Sequence, residues 1–109
     1  MAVFSTISVI MPVANTNFLS EALTSLINQS YTSWELILVD DGVDMSRKKI
    51  KKMMNGKKVK IVSNQGRIGV AKSLNRGLKH ARGDFIARMD ADDVAYPRRF
   101  ESQIKYLHS

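Results

Sequence analysis

The sequence predicts an α/β fold, a Rossmann-like parallel sheet flanked by helices, on three observations. Four apolar, β-rich segments alternate with four helical patterns along 109 residues. The first of these strands is a hydrophobic run broken only by Ser8, as expected for a strand covered on both faces. The helical stretches are long enough to act as right-handed crossovers between parallel strands. The length suits about one domain, and the absence of Cys excludes disulfides and thiolate-bound metals.

Each element has its own signature. Ile7 to Val13 (ISVIMPV) is the continuous hydrophobic run; it is too short for a membrane span and lacks the basic lead of a signal peptide. Asn15, Thr16 and Asn17 can each cap a helix whose inner face is Phe18, Leu19, Ala22, Leu23, Leu26 and Ile27. Glu35 to Val39 is the second strand, ending at Asp40-Asp41-Gly42. A lysine-rich helix follows, with Ile50, Met53 and Met54 as its apolar stripe and Asn55-Gly56 as a left-handed stop. Val59 to Val62 is a short third strand. Beyond the loop Asn64 to Gly69, the residues Val70, Ala71, Leu74, Leu78 and Ala81 form another stripe, which Gly83 terminates. Phe85 to Met89 is the fourth strand. Pro97 then opens a last helix with Phe100, Ile104 and Leu107 facing inward.

The net charge is +7, and eight of the 17 basic residues lie in one acid-free stretch: Arg47, Lys48, Lys49, Lys51, Lys52, Lys57, Lys58 and Lys60. A solvated helix face explains this most simply. Peripheral attraction to an anionic membrane ranks ahead of nucleic acid, because no aromatic residues interleave with the lysines. No nucleic-acid partner is therefore expected.

In open parallel sheets the loops after the strands gather on one edge, and ligands settle where the strand order reverses. That edge receives Asn15, Asp40 and Asp41, the Asn64 loop, and Asp90 to Asp93. Independent helix caps would account for some of these residues, but not for adjacent aspartates at two strand ends. In "ARMDADDVAYP" three carboxylates fall within four residues, and such groups repel unless something positive lies between them. A D-x-D turn offers hard oxygen ligands to Mn2+ or Mg2+, and a carboxylate can accept from a base N–H or a ribose hydroxyl. The ligand class these features imply is a nucleoside diphosphate carrying a group to be transferred.

Four blocks stand in order along the chain: "SVIMPV" followed by Asn15, "FLSEALTSLINQSYTSWELILVDDG", "NQGRIGVAKSLNRGL", and "GDFIARMDADD" followed by Pro97, Arg98 and Gln103. Through them, and over nearly all of its length, the chain resembles the amino-terminal half of family 2 glycosyltransferases of the GT-A fold. The resemblance implies a nucleotide-sugar site built from Val13, Asn15, Asp40, Asp41, Arg67, Lys72 and Asp90. Asp41 would hold the base with Asp40 supporting it, and Arg67 and Lys72 are candidates to meet phosphate or to be solvated charges. Asp90 and Asp92 would hold Mn2+ or Mg2+, while Asp93 braces the turn or caps the next helix. Two departures bear on specificity. Ala14 stands where many relatives carry a base-stacking aromatic, which weakens the usual expectation of a UDP-sugar, and Val43 replaces a frequent Ser.

The resemblance further implies inverting transfer of a sugar to an acceptor saccharide or lipid-linked saccharide, in bacterial surface polysaccharide synthesis at the cytoplasmic face of the membrane. An inverting transferase needs a base, and nothing after Asp93 offers one. His80 and His108 read as helix-end groups, His108 as a frayed one. Residues 1–109 are therefore expected to be the donor-binding part of a longer enzyme, cut before the acceptor site and inactive alone. The competing readings are a receiver-like signalling domain and a nucleotidylyltransferase of related fold; the latter would carry a glycine-rich loop after the first strand, where residues 13–18 have no Gly.

Overall fold

Two strands buried at every residue organise the molecule. In the computed structural model, which describes residues 5–108, these are β1 (Ile7–Val13) and β2 (Trp34–Asp40). Strands apolar on both faces need a helix layer on each side, and both layers are present. β1 pairs with β2 from Ile7↔Trp34 to Val13↔Asp40. β2 pairs with β3 (Val59–Ser63), and β1 pairs with β4 (Phe85–Arg88), all in parallel.

The strand order is β3-β2-β1-β4. The chain steps outward from β1 to β2 to β3 and then crosses back over the sheet to β4 on the far side of β1. The reversal lies between β1 and β4, and this is where a ligand site is expected. The order is the Rossmann one; a receiver domain would place its strands 2-1-3, so that reading is set aside.

Alternation along the strands divides the core. Val9, Met11, Val13, Leu36 and Leu38 point to the layer formed by α1 (Leu19–Ile27) and α2 (Arg47–Met54), and α4 (Arg99–Leu107) adds Phe100 to the same cluster. Leu23, Leu26, Met54 and Phe100 are fully enclosed there; burying such a side chain stabilises by ~1.5–3 kcal/mol. On the opposite face Ile10, Ile37, Val39 and Val62 meet Leu74 of α3 (Val70–Leu78).

Several local features depart from the sequence reading. In α3 the buried residues are Ser73 and Gly77, while Val70 and Leu78 are each 45% exposed. A Cβ added at Gly77 would lie 2.6 Å from Ile10 Cγ2, so the helix sits too close to the sheet for larger side chains along its contact line. In α2, Ile50 and Met54 are buried but Met53 is exposed. Its stop is as expected, with Asn55 left-handed at φ 50. Gly83 does not end α3, which stops at Leu78; it precedes β4 and donates its N–H to Ser8 Oγ at 2.7 Å. Pro97 lies before α4, where its carbonyl accepts from Ser30 N–H, and Leu107 is exposed.

Candidate functional site

Each parallel strand delivers its following loop to the same edge, and at the β1/β4 reversal these loops enclose a cleft of about 330 Å³. Pro12, Ala14 and Asn15 come from the end of β1, Phe18 from the start of α1 and Val70 from α3; Arg88, Asp90, Ala91 and Asp92 close it from the β4 side. Asn15 holds its own turn, its Oδ1 accepting from Asn17 N–H at 2.7 Å.

The acidic turn is built tightly. Asp93 Oδ2 accepts from Asp90 N–H at 3.0 Å, and Asp93 N–H returns a bond to the Asp90 carbonyl at 3.0 Å. Asp93 thus braces the turn. Carboxylate oxygens of Asp90, Asp92 and Asp93 lie within 4.8 Å of one another, and Asp92 and Asp93 are exposed. Around an octahedral Mg2+-sized ion with ligands at about 2.1 Å, oxygens sit roughly 3.0–4.2 Å apart, so these carboxylates need only a small closure to share one cation. The donor set, all carboxylate oxygen, suits Mn2+ or Mg2+. Arg88 supplies the nearest positive charge, with Nη2 3.2 Å from Asp90 Oδ1; both side chains are about half exposed, so water screens the pair.

The Asp40-Asp41-Gly42 turn lies one strand away and is turned inward. Asp40 accepts from Val43 N–H at 2.8 Å and Met45 N–H at 3.0 Å, closing the loop that leads to α2. Asp41 is 2% exposed. Its Oδ1 accepts from Ile68 N–H at 2.7 Å and Asn64 Nδ2 at 3.0 Å, and its Oδ2 from Gly69 N–H at 3.1 Å. Burial alone would push its carboxyl upward; these donors, Ile68 N–H foremost, and the Arg67 charge outweigh it and hold the pKa below the ordinary value. Gly42 has φ +83, and a Cβ there would meet the backbone of Gly66 and Arg67 at 3.0 Å, so the two loops fit together only with glycine at this point.

The structure therefore brings Asn15, Asp90 and Asp92 together around the cleft. Arg67 joins its rim indirectly, donating from Nη2 to the Ala14 carbonyl at 2.7 Å. Val13 is fully buried beneath, and its carbonyl accepts from Asp41 N–H at 2.9 Å. Asp40 and Asp41 lie behind the walls, and Lys72 is exposed on α3 outside the lining. His108 is not frayed: its Nε2 lies 2.9 Å from Ser5 Oγ and its ring packs edge-on to Phe85.

Sequence reasoning missed two features. Phe18, assigned to the inner face of α1, is 59% exposed and lines the cleft. Its position directly after three capping-type residues was the available signal, since a residue there belongs to the helix start rather than to its stripe. The second is the support behind Asp41. Asn64 Nδ2 also lies 3.0 Å from buried Ser73 Oγ, and its Oδ1 accepts from Arg76, whose guanidinium further donates to the Ser63 carbonyl at 3.0 Å.

A family model described as glycosyl transferase family 2 matches residues 8–109. The "Putative glycosyltransferase EpsE" of Bacillus subtilis is 41% identical over 105 residues, covering 93% of this chain and 38% of that protein. The UDP-Glc:alpha-D-GlcNAc-diphosphoundecaprenol beta-1,3-glucosyltransferase WfgD of Escherichia coli is 34% identical, covering 93% of this chain and 40% of that protein. Among solved structures, S. aureus TarS 1-349 in complex with UDP superposes with a TM-score of 0.84 at 28% identity, over 94% of this chain and 32% of that one. The chain thus spans about two fifths of the length of these two curated relatives.

Proposed function

The chain belongs to glycosyl transferase family 2 and has its GT-A fold, and from that premise we propose that it is the donor-binding part of a longer inverting glycosyltransferase. The single observation that carries the reading is the D-x-D turn standing in the cleft at the strand-order reversal, with its carboxylates close enough to share one cation. The donor is a nucleoside diphosphate sugar, as the UDP complex of TarS and the UDP-Glc in the name of WfgD support. The acceptor is a saccharide or lipid-linked saccharide in bacterial polysaccharide synthesis, and the protein works at the cytoplasmic face of the membrane.

Asp90 and Asp92 would hold Mn2+ or Mg2+, whose charge would offset that of the diphosphate leaving group. Asn15 lies across the cleft from them and orients the nucleotide. Phe18 offers the ring face that Ala14 lacks, for stacking on the base. Asp41 fixes the 64–69 loop through three donors, and its Oδ2, which accepts from Gly69 N–H, would meet a base N–H only if that loop lifted away from it. Asp40 and Val13 hold that turn in place. Arg67 and Lys72 supply positive charge on the phosphate side. The proton acceptor for the incoming hydroxyl belongs to another part of the longer protein.

Calorimetric titration with UDP, GDP and other nucleoside diphosphates, with and without Mn2+, tests this on the wild type and on Asp92→Ala. Binding that requires the metal and disappears in the variant is expected. Binding of the same strength without metal, or in the variant, would remove the acidic turn from the site.

A further inference from the structure

The 14-residue stretch 47–60 holds eight basic and no acidic side chains, so the remainder, with nine basic and ten acidic, is close to neutral. The whole positive excess of the chain therefore sits at one border of the sheet, on α2 and the edge strand β3. Ile50 and Met54 anchor α2 to the core, which leaves Lys48, Lys49, Lys51 and Lys52 exposed, with Met53 exposed among them. Lys58, just before β3, and Lys60 within it extend the charge along this edge. Among the described residues the ion pairs are Arg88–Asp90 and Arg98–Glu101, so none of the α2 lysines is neutralised in this way.

We propose that this border docks the protein on an anionic bilayer. Lysines on an edge strand also discourage strand pairing, which accounts for Lys58 and Lys60 but not for four exposed lysines on a helix. The one arginine of the cluster is folded back: Arg47 donates to the Ile61 carbonyl at 3.1 Å and to Ser63 Oγ at 2.9 Å. The outward charge is thus ammonium on flexible stems, which suits a diffuse plane of headgroups. Nucleic acid is better met by guanidinium forks or stacking aromatics, and the patch presents neither. Met53 adds an apolar tip between the lysines, able to enter the interface. The inference stands apart from the donor site, since none of these residues lines the cleft.

The test is partition of the full-length protein onto phosphatidylcholine vesicles with and without phosphatidylglycerol, at low and high salt. Binding should require phosphatidylglycerol and weaken with salt. Each lysine near an anionic surface strengthens binding about fivefold, so the quadruple variant Lys48→Gln, Lys49→Gln, Lys51→Gln, Lys52→Gln should lose roughly a hundredfold or more. The matching quadruple Lys→Arg variant should retain binding, and nucleotide binding should be unchanged in both, which separates this surface from the donor site. Equal partition onto both vesicle types, an undiminished Gln variant, or tighter binding to DNA or RNA than to charged vesicles at the same salt would overturn it.

Discussion

Replacing Asp41 by Asn tests how the two loops behind the cleft are held. The wild-type carboxylate is 2% exposed and accepts from Ile68 N–H, Asn64 Nδ2 and Gly69 N–H. An amide keeps one oxygen for the first two donors but turns an NH2 toward Gly69 N–H, so two donors oppose each other. It also replaces charge-assisted bonds with weaker neutral ones. Leaving one buried donor unmet costs ~1–3 kcal/mol, so we expect a loss of about 2 kcal/mol at neutral pH. For a domain of this size each kcal/mol lowers Tm by about 4–8 °C. The pH dependence follows from the direction of the Asp41 shift. Its folded pKa lies below the ordinary aspartate value, so the stabilisation is complete above that value and is lost as pH falls through the lower folded one. Thermal unfolding of both proteins from neutral to acid pH reads the effect, and the gap should close in acid. Equal midpoints at neutral pH, or a gap that survives acidification, would refute the reasoning.

Gly77→Ala should destabilise by ~1–3 kcal/mol through overpacking against Ile10; a denaturant midpoint equal to wild type would mean that α3 can lift without cost. Glu35 is 7% exposed and accepts from Ser8 Oγ at 2.5 Å and Arg82 N–H at 2.8 Å. Burial pushes its carboxyl up, but these bonds and the nearby Lys58 and Arg82 charges hold it below the ordinary glutamate value. Glu35→Gln should therefore cost ~1–3 kcal/mol at neutral pH and progressively less as pH drops below that value, read by the same unfolding series. Phe18→Ala should weaken nucleoside diphosphate binding by roughly tenfold, the lower part of the stacking range, with no change in Tm; unchanged affinity would place the base elsewhere.

Periodicity carried the fold because the strands are extreme cases. A run such as ISVIMPV has no polar face, so it must lie between two layers, and alternation of strand and helix then makes the sheet parallel. Parallel strands in turn deliver Asn15, Asp40, Asp41 and Asp90 to one edge without further information. What periodicity does not carry is the distance between layers. The stripe of α3 looked like Val70, Leu74 and Leu78, but close approach to the sheet turned Ser73 and Gly77 inward, and small residues leave no mark on a hydrophobic pattern. Nor does it carry the direction in which a loop carboxylate points. Asp41 and Asp92 are alike in sequence, each beside a second aspartate after a strand, yet Asp41 is wrapped in backbone donors while Asp92 stands exposed in the cleft. That difference arises from the Asn64–Gly69 loop, which folds over one and not the other.

The most direct test of the donor site is relaxation broadening of backbone amides by Mn2+ in the presence of a nucleoside diphosphate, with Mg2+ as the diamagnetic control. The account predicts broadening centred on Asp90 to Asp93 and extending to Asn15 and Phe18 across the cleft, with α2 unaffected. Broadening centred elsewhere, or none in a protein that binds the nucleotide, would contradict it.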